Sequence, residues 1–282
     1  MPTNVETVII KHDRIHCLVP NLFRSQPKGI KRKALDEDYD YNENTKIMIR
    51  GFESLGADDL LYLQGILALC VNKGRLRRQP RRSTSDTDRL WTTLKPKEEA
   101  INQEFLSVTF KIETLLSIVG LSTGKKNRDN LKRSLIRMSN VSFIFEQKKP
   151  KRIWGSSILG FSVCEKEITV ALDLAITEAV CGGIYTVIPI EEVRQIKHAP
   201  AKLLHQRFCA IIDPGSNCSF FINKLIRYVY GDDAEQTPSR QVMNKRRETV
   251  KKALNELSEI GWTISENDGV FSVTRPDLPE QP

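Results

Sequence analysis

Residues 238–274 read PSRQVMNKRRETVKKALNELSEIGWTISENDGVFSVT, and this stretch decides the fold. An α-helix advances about 100° per residue, so with Val250 at the origin Met243, Leu254 and Leu257 fall within about 40° of it and form one inward stripe. Gln241, Asn244, Lys245, Glu248 and Lys252 point away, and Arg240, Arg247 and Lys251 share one flank. Pro238 suits a first helical position with Thr237 as cap, and Gly261 ends the helix. Segments 262–265 and 270–274 then alternate as strands around Asn267, Asp268 and Gly269, residues that accept the positive backbone angles of a tight hairpin. A helix with a basic outer face running into a hairpin matches the second helix and wing of a winged helix-turn-helix.

The same unit is legible upstream. A slide of 119 residues carries Leu131, Leu135 and Met138 onto Val250, Leu254 and Leu257, and Val141 and Phe143 onto Ile260 and Trp262. Further upstream the offset becomes 111, laying Phe110 on Phe221 and Gly120 on Gly231. The spacing predicts helices over 111–119 and 127–138 separated by Ser122, Thr123 and Gly124, a strand over 141–146, and a return strand over 153–163 across a basic turn. Earlier, 57–71 is a helix with Leu60, Leu63, Leu67 and Cys70 inward, and Asp58 and Asp59 sit in the first turn, where the helix dipole favours them. Loop composition is expected over 75–87 and a short strand over 90–94. The expected class is α+β, with two tandem winged-helix domains at 54–183 and 184–276, an N-terminal arm at 1–53 and a tail at 277–282.

The 282 residues carry a net charge of +8, unevenly placed. Five blocks, 28–33, 75–82, 125–137, 148–152 and 240–252, together hold +23, which leaves −15 for the rest. Basic blocks on a mildly acidic body are the footprint of a polyanion binder. On the long helix, Gln241 and Asn244 suit adenine edges, Arg240 and Lys245 suit guanine, and Arg247, Glu248, Lys251 and Lys252 complete the face. On the first-unit helix the expected contacts are Lys125, Lys126, Asn127, Arg128 and Lys132, and on the wing turn Lys148, Lys149, Lys151 and Arg152.

Other chemistry fits poorly. The stretch from Gly120 to Lys126 has three residues between its glycines instead of four, and Lys126 stands where a P-loop needs Ser or Thr. His12, His16 and Cys17 lack a fourth ligand nearby for structural zinc, so neither a metal nor another cofactor is expected. No hydrolase or zinc-protease motif occurs, and no enzyme is expected. Six cysteines without a C-x-x-C pair suggest free thiols, no apolar run reaches the ~18–20 residues of a membrane span, and 1–10 lacks a signal pattern, so a cytoplasmic protein is expected.

Several longer phrases carry a resemblance. They include His12-Asp13, His16-Cys17-Leu18 and Leu22-Phe23-Arg24, then Leu55-Gly56-Ala57-Asp58-Asp59-Leu60. They continue in Leu203-Leu204-His205-Gln206-Arg207, Asp213-Pro214-Gly215, Lys245-Arg246-Arg247 and Gly261-Trp262-Thr263. In these the chain resembles the RepC replication initiators of IncQ-type plasmids, over nearly its whole length. The resemblance implies binding to directly repeated origin sequences (iterons) as double-stranded DNA, opening of the adjacent AT-rich DNA, and helicase and primase as separate partner proteins. A second copy of the chain is a further candidate partner. The competing expectations are a winged-helix transcriptional repressor, which would favour an inverted repeat, and a replication nuclease or primase.

Overall fold

The computed structural model describes residues 8–19, 21–26, 29, 31–77, 90, 93–98, 104–231 and 238–278. At its centre is α2 (Ala57–Lys73), whose residues Leu60 to Cys70 are all buried. A helix that is apolar all round belongs inside a core, and this one packs against elements of both halves of the chain. Around it lie β1 (Ile9–Asp13), α1 (Arg14–Leu18), β2 (Leu35–Asn42), β3 (Thr45–Gly51), β4 (Arg75–Arg77), β5 (Lys97–Glu98) and β6 (Phe105–Lys111). Next come α3 (Ile112–Ile118), α4 (Lys125–Ser139), β7 (Ser142–Gln147), β8 (Arg152–Ser157), β9 (Leu159–Cys164), β10 (Glu167–Leu172) and α5 (Leu174–Val180). The second half has β11 (Tyr185–Pro189), α6 (Ile190–Gln195), α7 (Ala199–Ile211), β12 (Asn217–Phe221), α8 (Ile222–Tyr230), α9 (Arg240–Glu259), β13 (Thr263–Asn267) and β14 (Val270–Thr274).

The class is α+β with antiparallel sheets, in the strand orders β1-β11, β4-β6-β10-β9, β2-β3-β7-β8-β5 and β12-β14-β13. The order strand, helix, helix, hairpin occurs twice, as β6-α3-α4-β7-β8 and β12-α8-α9-β13-β14. Leu131, Leu135 and Met138 are buried, as are Val250, Leu254 and Leu257, so the 119-residue slide relates two equivalent inner faces. Upstream the equivalence runs at 110, not 111. Phe110 and Phe220 are the buried pair, while Phe221 is 68% exposed, because α3 opens at Ile112 and α8 at Ile222. The second hairpin turns through Asp268 (φ 48°) and Gly269 (φ 76°), as its residue types require.

Further expectations are corrected, and of the loop expected over 75–87 the first three residues form β4 and pair with β6. The supposed arm is woven into the molecule: β1 pairs with β11, β2 and β3 extend the sheet of β7 and β8, and Ile10, Cys17, Leu22, Ile47 and Ile49 belong to the main core with residues as distant as Val273. Its polar run hid a strand because Lys46 and Arg50 of β3 pair across to Asp36 and Asp38 at 2.6–2.9 Å. The return strand breaks at the fully buried Ile158, so β8 stays in one sheet and β9 passes into another. Leu90 and Thr93 are helical, with Thr93 Oγ1 donating to the Leu90 carbonyl at 2.6 Å, and the rest of that expected strand except Leu94 lies outside the described residues. Lastly, Ser239 caps α9, its Oγ accepting from the Val242 amide at 3.4 Å, so Pro238 precedes the cap; Thr237 lies outside the described residues.

The N-terminal segment also ties the halves together. The Arg24 amide donates to Leu55 O at 3.0 Å and the Ser25 amide to Val229 O at 2.7 Å. Buried Arg207 donates to the carbonyls of Leu18 and Val19 and lies over the Tyr228 ring at 4.9 Å.

Candidate nucleic-acid interface

Along α9 the buried residues are Val250, Ala253, Leu254 and Leu257. None of the ten residues from 240 to 249 is buried; Met243 rests partly buried against the core, while the outer face of this stretch, about 15 Å long, is open. Arg240, Gln241, Asn244, Lys245, Arg247, Glu248, Lys251 and Lys252 are all exposed. Arg247 Nη1 reaches Asn244 Oδ1 at 3.4 Å, a loose contact that leaves the Asn244 amide nitrogen available. Lys251 is more firmly engaged, since its Nζ lies 2.8 Å from both carboxylate oxygens of Glu266 on β13 and so joins helix to hairpin. Arg246, which the sequence did not single out, lies over the Tyr230 ring at 4.7 Å and steadies the free end of α9 against α8.

On α4 the expected residues divide. Lys125, Lys126 and Lys132 are exposed, whereas Asn127 and Arg128 turn back on the approach to their own helix. Asn127 Nδ2 donates to Ser122 O at 2.8 Å and Oγ at 3.1 Å. Arg128 Nε donates to Thr123 O at 2.8 Å while its Nη2 pairs with Glu113 at 3.0 Å. These two side chains brace the turn between α3 and α4, and the three lysines present the charge.

What fixes α4 in place is a residue that sequence reasoning assigned only to the helix dipole. Asp59, on α2, is fully buried and accepts from Arg137 Nη2 at 2.7 Å and Nε at 3.0 Å, Ser134 Oγ at 2.6 Å, Arg32 Nη1 at 2.6 Å and the Gly56 amide at 2.8 Å. One carboxylate thereby caps its own helix, anchors α4 and holds the segment before β2. The available signal was the glycine three residues ahead of Asp59, a capping-box spacing; the long-range partners had none. Of the basic block 28–33, Arg32 is accordingly structural, while Lys28 lies outside the described residues.

The basic turn between β7 and β8 exposes Lys148, Lys149, Lys151 and Arg152. It is held from beneath by the β2–β3 turn: Asn44 Nδ2 donates to Lys149 O at 2.9 Å, Asn44 Oδ1 accepts from the Lys149 amide at 2.8 Å, and Lys148 Nζ reaches Glu43 O at 3.1 Å. Asn44 and Glu43 of the former arm thus hold the turn that carries these lysines.

His12, His16 and Cys17 are core residues. His16 Nδ1 lies 2.6 Å from Asp13 Oδ1 and its Nε2 3.0 Å from Asp173 Oδ2. Burial opposes its charge, but the Asp173 and Asp13 carboxylates outweigh burial and hold the imidazole up at about 10. His12 is pushed down to about 4 by burial and by the His16 charge. His205 is the counterpart in the second half. Burial again opposes its charge, while Cys209 and the Glu192 carboxylate, 2.7 Å away, hold it at about 10, and Glu192 also accepts from Trp262 Nε1 at 3.0 Å. Among the described residues no three His, Cys, Asp or Glu side chains are grouped to hold a metal ion, and no helix is long and apolar enough to cross a membrane.

The model of the family described as replication protein C (RepC) matches residues 4–277. The chain belongs to the RepC family. That match takes in both helix-helix-hairpin units and the segment first expected to be an arm. No individually curated protein matches the chain. Among solved structures, the RepC chain is similar to domains 2 and 3 of RctB, in a selenomethionine derivative, at a TM-score of 0.57 and 12% identity, over 95% of this chain and 99% of that one. A second RctB structure, of residues 155–483, gives 0.54 and 12% over 90% and 95%. At that identity the likeness is one of fold, and it extends across both halves of the RepC chain together.

Proposed function

We propose that this protein is a plasmid replication initiator of the IncQ type that binds directly repeated origin sequences as double-stranded DNA and catalyses no reaction itself. The observation that carries the reading is α9, none of whose first ten residues is buried and whose outer face exposes Arg240, Gln241, Asn244 and Lys245. The two helix-helix-hairpin units act as tandem winged helices, α4 and α9 entering successive major grooves on one face of an iteron, about 10 base pairs apart. Lys125, Lys126, Lys132 and the wing residues Lys148, Lys149, Lys151 and Arg152 hold phosphates, while Gln241, Asn244, Lys245 and Arg240 read bases. Membership of a replication family supports a role at an origin, where the bound protein opens adjacent AT-rich DNA and admits a separate helicase and primase.

A base-reading amide is worth about 1–3 kcal/mol of discrimination. Asn244→Ala is therefore expected to lower affinity for an origin repeat by about 5- to 150-fold while changing affinity for a scrambled duplex little, measured by fluorescence anisotropy on both. Equal losses on the two duplexes would place Asn244 among the phosphate contacts.

A further inference from the structure

A cavity of about 260 Å³ lies against the five-stranded sheet at the end that carries the basic turn. Its wall is aromatic: the rings of Phe145 and Trp154 are parallel to within 12° with centroids 5.5 Å apart, and Tyr41, 42% exposed, lies beside them. Strand register extends this wall. Phe145 pairs with Trp154 and Gln147 with Arg152, and residues paired across an antiparallel ladder, like those two apart along a strand, share a face. Gln147 and Arg152 therefore continue the Trp154 face towards Lys148, Lys149 and Lys151. On the opposite wall Arg14 is exposed, and no described residue gives it a hydrogen-bond or ion-pair partner. The cavity lining holds one cation, Arg14, and two acids, of which Asp13 is engaged by His16 and Glu178 is the other; further cations belong to the adjoining basic turn.

A flat apolar wall beside a polar amide and a cationic rim matches the chemistry of single-strand recognition, in which aromatic rings take base faces and cations follow the backbone. We propose that this cavity binds an unpaired base of single-stranded DNA, stacked against Trp154, with the adjoining phosphate on Arg14. A paired base cannot enter, because its faces are covered by its neighbours in the duplex. Binding to α9 and binding to the cavity are thus separate events on separate DNA states, and the inference rests on the origin-binding reading only for the source of the strand.

The test is anisotropy with two labelled probes, an oligothymidylate of about 15 nucleotides and an origin-repeat duplex, on the full chain and on Trp154→Ala, Trp154→Phe, Tyr41→Ala and Arg14→Ala. Trp154→Ala is expected to weaken oligothymidylate binding by about 5- to 100-fold, with Trp154→Phe largely restoring it, Arg14→Ala giving a smaller loss, and duplex affinity unchanged throughout. Tyr41 and Arg14 are exposed, so their variants report on the cavity even if Trp154→Ala fails to fold. Oligothymidylate affinity unchanged in every folded variant, or no oligothymidylate binding by a wild-type chain that binds duplex, overturns the proposal and leaves the cavity to an apolar peptide. Failure of the wild-type chain to bind the duplex counts instead against the origin-binding reading.

Discussion

Replacing Asp59 by Ala is expected to cost about 3–5 kcal/mol of folding stability, towards the lower end of that range. The carboxylate has no exposed surface and accepts from two guanidinium groups, a hydroxyl and a backbone amide. Truncation leaves Arg137 and Arg32 without their counter-charge, and removing one member of a buried pair costs far more than the pair itself contributes. The loss is moderated because the Arg137 and Arg32 side chains keep 15% and 20% of their surface exposed and regain some water. The check is urea denaturation followed by circular dichroism, with a lower midpoint at unchanged slope. The double variant Asp59→Ala, Arg137→Ala should cost clearly less than the sum of the two single changes, since the partners share one network. A shift below about 1 kcal/mol would mean that α4 is held by apolar packing alone.

The second large effect concerns salt. If the tandem units engage about 6–10 phosphates, affinity for an origin repeat falls about 10³–10⁵-fold between roughly 50 and 200 mM salt, because each phosphate contact releases condensed counterions. The charge needed is present on the exposed parts of α4, α9 and the basic turn. Arg128 and Arg32 are already ion-paired within the protein and are expected to add little. Isotherms over a salt series measure the slope directly, and a nearly flat response would exclude binding led by the basic blocks.

How much of this was legible in the sequence differs by scale. Period 3.6 was enough for α2, α4 and α9, because each keeps a continuous apolar face and so records its own burial. The 119-residue repeat was legible for the same reason, since Leu131 and Val250 serve one structural role. Sheet membership was not legible: β8 and β9 form one local β pattern, and only contacts distant in sequence decide that Ile158 divides them between sheets. The supposed arm was misjudged because Asp36 and Asp38 are neutralised by Lys46 and Arg50, so a strand presented itself as a polar run. For the interface, charge placement was visible but side-chain commitment was not. Nothing local separates Lys126, which stays exposed, from Arg128, which folds back on Thr123 and Glu113. Asp59 lies at the same limit, since its cap is a pattern three residues long while its grip on α4 spans 78 positions.

Hydroxyl-radical footprinting on a duplex carrying one origin repeat tests most directly whether two reading helices act together. Two protected tracts are expected on one face of the DNA, about 10 base pairs apart, with the tract assigned to α9 weakened by Asn244→Ala and the other retained. A single protected tract, or protection spread evenly without regard to the repeat, would contradict a tandem reader built on α4 and α9.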